Sequence, residues 1–426
     1  MKHLYAFFAL MFVSIFYLNA QINVSVGLQP LMIYLYNSDF YVLCKGVDAN
    51  FDGNYDPDTD EPPSLWRNDP IGMGPLSASK IIEFPFGLNS FPVRALFDEE
   101  FLYLQTNGYI WKYNITNGSL VDSIEFEHTV YGFFIDNGLL YVSTRVTPPG
   151  SWSPEHNYVI SIDLATKEAK DTIEAKMNVQ MCQIFNEKLF VLNEGTGAED
   201  SYVTVYDLST KEEIKSYPAG SFGNYFEIRD NKLYVVSNGS HKVFRYALDI
   251  DETFEYEVGT TGWDGPRELV FNPEGTKFRV SAYDGNIYEF KTTENQPVIT
   301  INAGKKVEGM LWGNYYDNDV FVAALINNPD YSANDFVTIW VSPLASVKDL
   351  AQMIKVYPNP ATSFIKIEAN HLNFDDFSIV SLEGKIVKEG KLYSNTIELN
   401  EIGAGKFFVR LSNQKETVAI PITIVK

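Results

Sequence analysis

One short pattern constrains this chain more than any other: an apolar-aromatic-apolar triplet at the end of a turn. It appears as Phe40-Tyr41-Val42, Leu102-Tyr103-Leu104, Leu140-Tyr141-Val142, Leu189-Phe190-Val191, Leu233-Tyr234-Val235 and Val320-Phe321-Val322. A seventh copy, Phe278-Arg279-Val280, carries Arg in the middle. In chain order the gaps are 62, 38, 49, 44, 45 and 42 residues. Around each copy lie further alternating runs, separated by hairpin signals such as Asp136-Asn137-Gly138, Asn107-Gly108 and Asp284-Gly285. No stretch here has helical periodicity. A period of about 45 residues with four strands per copy is the signature of a propeller blade. The expectation is an all-β chain whose residues 22–345 form a seven-bladed β-propeller. The last copy lacks a fourth strand after Phe336–Val341, and the run Ile22–Val26 can supply it, which would tie the ring and remove an open edge. An array of β-sandwiches fits less well, because the even spacing leaves no room for linkers.

The two ends read differently. Residues 1–20 have Lys2, an apolar run from Leu4 to Leu18, and a small-residue cut after Ala20, which is the pattern of a secretory signal peptide. The run is short for a membrane span, and no later stretch qualifies, so no transmembrane segment is expected. Residues 346–352 read as a linker. Residues 353–426 offer six short alternating strands, which predict a small β-sandwich. Net charge is −22. From residue 352 onward nine Lys and Arg face eight Asp and Glu, so the acidity sits ahead of that unit. Phosphate neutralisation needs clustered cations, so no nucleic-acid partner is expected. The two cysteines, Cys44 and Cys182, make no disulfide framework; the readings are a single bridge in an oxidising compartment or two small buried hydrophobes, the second favoured.

Candidate chemistry is sparse. Between Asp48 and Glu61 oxygen side chains recur at every second position, with Gly53 for a sharp turn. That is how a loop wraps a hard cation, so Asp48, Asn50, Asp52, Asp56, Asp58 and Asp60 are candidate Ca2+ ligands. Thr59 falls where a bidentate Glu would close an EF-hand, and the pattern resembles more closely the calcium loops of thrombospondin-type repeats. The competing reading is a solvated acidic loop. The five histidines show no metal-ligand spacing. Ala219-Gly220-Ser221-Phe222-Gly223 departs from a nucleophile elbow and has no helix behind it. Long segments follow four triplets and would share one face, bringing Trp66, Trp152, Tyr158, Tyr202 and Tyr331 together, with Trp263 and Arg267 from an interblade loop. Starts of inner strands add Arg94, Tyr131, Asn224, Tyr225 and Glu308. These define a ligand-binding face for a small molecule, glycan or protein, and the acidic surroundings would disfavour anions. The competing reading has the aromatics capping the blades. The alternative function is an extracellular hydrolase or lyase with a metal or carboxylate site in the central funnel, but no catalytic constellation is readable.

Two resemblances follow from particular residues. The segments KLFVLNEG (188–195), VTVYDLSTKEEIKSYPAG (203–220) and KLYVVSNG (232–239) resemble YVTN/YncE-like propellers and, more distantly, the Bacteroidota surface propellers that bind cobalamin. The C-terminal unit looks like the type A sorting domain of the type IX secretion system. Its matching pieces are VYPNPA, Leu382-Glu383-Gly384-Lys385, Gly405-Lys406-Phe407-Phe408-Val409-Arg410 and Lys426. Family members commonly have GxY where this chain has Gly405-Lys406-Phe407. The resemblance implies the secretion machinery as a partner, and a secreted or surface-attached product.

Overall fold

The computed structural model describes residues 20–36, 39–68, 77–87, 92–151, 153–196, 199–315, 318–341, 354–369, 374–381, 385–392, 394–413 and 417–425. The expected signal peptide (save Ala20), the linker, Trp152, Leu382 to Gly384 and Lys426 lie outside them. Every regular element among the described residues is a β-strand. They fall into two compact units, one of them Gln21–Trp340 and the other holding the C-terminal strands.

Seven four-stranded antiparallel sheets account for the first unit. Six are built from four consecutive strands. The seventh takes three, Lys306–Tyr315, Asn318–Asn327 and Phe336–Val341, and its fourth is the N-terminal strand Ala20–Ser25. Thr338 Oγ1 donates to Asn23 Oδ1 at 2.8 Å across that last pairing. Each of the seven triplets falls on the second strand of its own sheet. The reason is packing. Side chains alternate between the two faces of a strand, so a strand covered on both sides is apolar at consecutive positions. Leu140, Val142, Leu189, Val191, Leu233 and Val235 are all fully buried.

Between consecutive sheets the chain lays down apolar layers. Tyr234, Val243 and Tyr256 of the fifth sheet pack with Leu269, Phe271, Phe278 and Phe290 of the sixth. Phe278 is the centre of this layer, with rings of Tyr234, Tyr256, Phe271 and Phe290 between 4.8 and 5.7 Å away. Comparable layers join the first and second, third and fourth, and sixth and seventh sheets. The seventh sheet in turn meets the first. A Cβ on Gly309 would stand 2.6 Å from Leu31 O and 2.8 Å from Met32 Cα, so only glycine lets these two first strands approach so closely. Gly132 plays the same part against Gln180 and Met181.

The two cysteines are buried and free, and burial pushes the Cys182 thiol up to about 12. In the C-terminal unit a three-stranded and a four-stranded sheet share a core that includes Ile365, Ile379, Leu399, Val409, Leu411 and Ile422. Its opening motif is tied to its last strand: Asn359 Oδ1 accepts from Thr423 N–H at 2.8 Å, and Asn359 Nδ2 donates to Pro421 O at 3.1 Å.

Candidate functional site

The first strands of the seven sheets are Pro30–Tyr36, Arg94–Asp98, Thr129–Asp136, Val179–Phe185, Gly223–Arg229, Pro266–Phe271 and Lys306–Tyr315. All seven contribute to the wall of one cavity of about 530 Å³. Most do so through a register shift near the strand's start. The pairing skips Leu31, Tyr131, the pair Gln180 and Met181, Asn224, the pair Arg267 and Glu268, and the pair Glu308 and Gly309. A β-bulge leaves such residues unpaired and re-aims their side chains. Here every skipped residue except glycine lines the cavity. Arg94 arrives without a bulge, opposite Gln105.

The polar groups of the wall are mostly matched. Arg267 Nη2 lies 3.3 Å from Glu308 Oε1, and its guanidinium sits 4.7 Å from the centre of the Tyr283 ring. The Glu308 carboxylate raises the Arg267 pKa further, and the Tyr283 hydroxyl donates to Glu308 Oε2. Glu194 accepts from Arg145 at 3.1 Å and Gln180 at 2.8 Å, while Arg145 stacks 3.7 Å over Tyr131. Lys45, also in the wall, makes no ion pair among the described residues, and two further groups stand apart. Arg94 lies over the Tyr225 ring at 5.7 Å and makes no ion pair among the described residues. Asn224 donates to Arg267 O at 2.5 Å, but its Oδ1 is buried with no hydrogen-bond partner among the described residues. Beside them, burial pushes the Glu268 carboxyl up to about 8; Arg94 opposes the shift, and Glu308 and Glu227 add to it. Burial also lifts Glu227 to about 7. Burial therefore opposes ionisation of the Glu268 carboxyl beside Arg94. The acidity of the whole chain does not extend to this cavity.

Of the residues singled out in the sequence, the cavity gathers Arg94, Tyr131, Asn224, Tyr225, Arg267 and Glu308. Among the described residues it does not gather Trp66, Tyr158, Tyr202 or Tyr331 from the long segments. Trp66 lies on the strand Ser64–Asn68, its indole donating to Ser64 Oγ at 2.9 Å. Tyr158 stacks with His156, and Tyr202 lies beneath Lys176. Trp263 is 79% exposed against Phe222. Tyr331 is exposed, lies 4.0 Å from Lys306 Nζ and donates to Asp264. Sequence reasoning missed Glu268, Gln180, Glu194 and Tyr283. The bulge residues sit where strand alternation fails, and only a polar residue next to a glycine or proline at a strand start hints at them.

The acidic segment joins the strands Asp39–Cys44 and Ser64–Asn68 and is pinned by paired backbone bonds between Val47 and Glu61. Asp60 accepts from Ala49 N–H at 2.9 Å and Asp56 N–H at 2.8 Å, which hold its carboxyl below the usual range. Among the described residues no three His, Cys, Asp or Glu side chains are gathered so as to hold a metal ion.

Residues 355–425 match the model of the secretion system C-terminal sorting domain. No curated protein matches the chain. The sorting domain supports export by type IX secretion, interaction with that machinery, and a secreted or outer-surface location. Among the described residues no helix is long and apolar enough to cross a membrane.

Proposed function

We propose that the Gln21–Trp340 unit is a seven-bladed β-propeller that binds a small anionic ligand bearing an N–H donor in its axial cavity, outside the cell. On this reading the seven sheets are the blades, the N-terminal strand closes the ring, and the C-terminal unit is a β-sandwich. The observation that carries the ligand class is the pair of unmatched groups in one cavity wall. Arg94 offers a guanidinium without a carboxylate. Asn224 Oδ1 is a buried acceptor without a donor, which costs free energy until a partner arrives. A carboxylate with a neighbouring amide N–H would satisfy both, and Tyr131 and Tyr225 line the same wall.

A second reading keeps the same cavity but makes it catalytic. A carboxyl near pKa 8 suits a general acid, and Glu268 holds that position beside Arg94. Binding without turnover separates the two.

The test is calorimetric titration of the full chain with N-acetyl amino acids, their uncharged amides, and neutral sugars. The acids should bind and stay intact, and the amides and sugars should bind far more weakly. Arg94→Met should cost about 1.5–3 kcal/mol of that binding, the range for a hydrogen bond to a charged group, without lowering the melting temperature. Equal binding of neutral sugars, or an Arg94→Met variant that binds like the wild type, would overturn the assignment.

A further inference from the structure

The acidic segment plays no part in the cavity, yet it holds a feature that a solvated loop does not need. Asp48 is only 7% exposed. Its Oδ2 accepts from Gly53 N–H at 2.9 Å, which fixes the carboxylate within the turn. The companion Oδ1 is buried and has no hydrogen-bond partner among the described residues. A buried anionic oxygen without a donor is costly, and something must neutralise it.

The surroundings say what. Residues 46–66 hold Asp48, Asp52, Asp56, Asp58, Asp60 and Glu61 and no Lys or Arg. None of the ion pairs among the described residues reaches any of these six. Several of their oxygens hold the chain rather than stand free. Asp52 Oδ1 accepts from Asn54 N–H at 2.7 Å, Asp56 Oδ1 from Asp58 N–H at 3.0 Å, and both oxygens of Asp60 are engaged. The turn is further set by positive φ angles at Phe51 and Gly53.

We propose that this turn binds one calcium ion, with Asp48 Oδ1 as its inner ligand and Asn50 and Asp52 completing the side-chain donors. Calcium takes six to eight oxygens and accepts amide and backbone carbonyls and water beside carboxylates. One of the three donors is an amide, so only two carboxylates meet the ion, which agrees with the absence of a three-acid group among the described residues. So low a ligand charge places the affinity at the weak, extracellular end, about 10⁻⁴–10⁻³ M. The ion has a structural consequence. Glu61, at the end of the turn, accepts from Leu28 N–H at 2.7 Å through Oε1. Leu28 lies between Val26 and Gln29, which bond to Asp335 and Asn334 beside the seventh sheet. Calcium therefore braces the segment that links the N-terminal strand to the first sheet.

The experiment is titration of the full chain, stripped with chelator, with calcium chloride up to about 10 mM, tenfold above the weak end of that range. Heat of binding and melting temperature are read together. One ion should bind and the melting temperature should rise with calcium. Asp48→Asn should weaken binding by more than the ~10–100-fold that loss of an outer metal partner costs. Asp52→Asn is the second variant, since it is exposed and leaves the Asp48 backbone bond in place. Glu168→Gln, an exposed acid elsewhere, should bind as the wild type does. No heat at 10 mM, an equal response to magnesium, or wild-type affinity in both Asp variants would overturn the proposal.

Discussion

The layers between the sheets and the cavity that their first strands line, here the axis, are built from the same strands by opposite rules. In the layers alternation is strict. Phe278 and Val280 are fully buried members of one apolar cluster. At the axis alternation breaks: Arg267 and Glu268, a few residues away on the adjacent strand, drop out of register and carry charge into a cavity. The layer contributes stability through area removed from water. The axis gives some back, because it holds a carboxyl far from its ordinary pKa and an amide oxygen without a donor. One strand thus serves both purposes, and a bulge marks where one rule yields to the other.

The largest effect should come from breaking a layer. Phe278→Ala removes a fully buried ring held by four aromatic neighbours, and should cost about 3–5 kcal/mol of unfolding free energy. Denaturant melts at constant m-value would measure it. Any protein that remains folded should bind the cavity probe as before, since Phe278 does not line the cavity; a parallel loss of binding would mean that layer and axis are not separable.

The axis should show its cost through pH. The folded Glu268 carboxyl titrates near 8, well above its ordinary value of 4.5. Its contribution to stability is intact below the unfolded pKa and is lost as pH rises through the folded one, because the unfolded chain releases that proton first. Glu268→Gln removes the titration. Between pH 5 and pH 8.5 the variant should therefore gain on the wild type, by on the order of 4 kcal/mol. The difference of two melting curves, taken across that window, cancels the many surface carboxylates that both proteins share. A constant difference would show that Glu268 is solvated in the cavity and stores nothing.

How much of this was legible depends on which rule a region follows. The triplets at 40, 102, 140, 189, 233 and 320 could be read because a strand buried on both faces is apolar at consecutive positions; the copy at 278 has Arg279 in the middle, paired with Glu289, and was read from its spacing, and each of the seven falls on a second strand. The N-terminal run could be assigned to the last sheet because that sheet lacked a strand. At the axis the sequence pointed to Arg94, Tyr131, Asn224, Tyr225, Arg267 and Glu308 but passed over Glu268, its immediate neighbour. Strict alternation would put residues 267 and 268 on opposite faces, and only the bulge between Pro266 and Leu269 brings both to the cavity. The exposed aromatics that were read with them lie outside this cavity. A tryptophan in a long loop draws attention by its size, and nothing local says which neighbour it will find.

Trp263 is where the two rules can be told apart with the smallest effect. It is exposed, its only described ring contact is Phe222 at 6.1 Å, and it lies outside the cavity wall. It therefore belongs neither to a layer nor to the axis. Trp263→Ala should change unfolding free energy by less than about 0.5 kcal/mol, as surface substitutions away from packed or paired groups do. If the ligand sits at the axis, binding of an N-acetyl amino acid should change by no more than about the same amount, roughly twofold. A loss of about 1–3 kcal/mol in binding with unchanged melting would instead make this ring an interface anchor, because exposed tryptophans that matter this much do so by burying their area in a partner. That outcome would move the ligand from the axis to the loops around Trp263 and leave Arg94 and Asn224 as structural features of the ring. Measured beside Arg94→Met in the same titration, the two variants assign the binding energy to one region or the other.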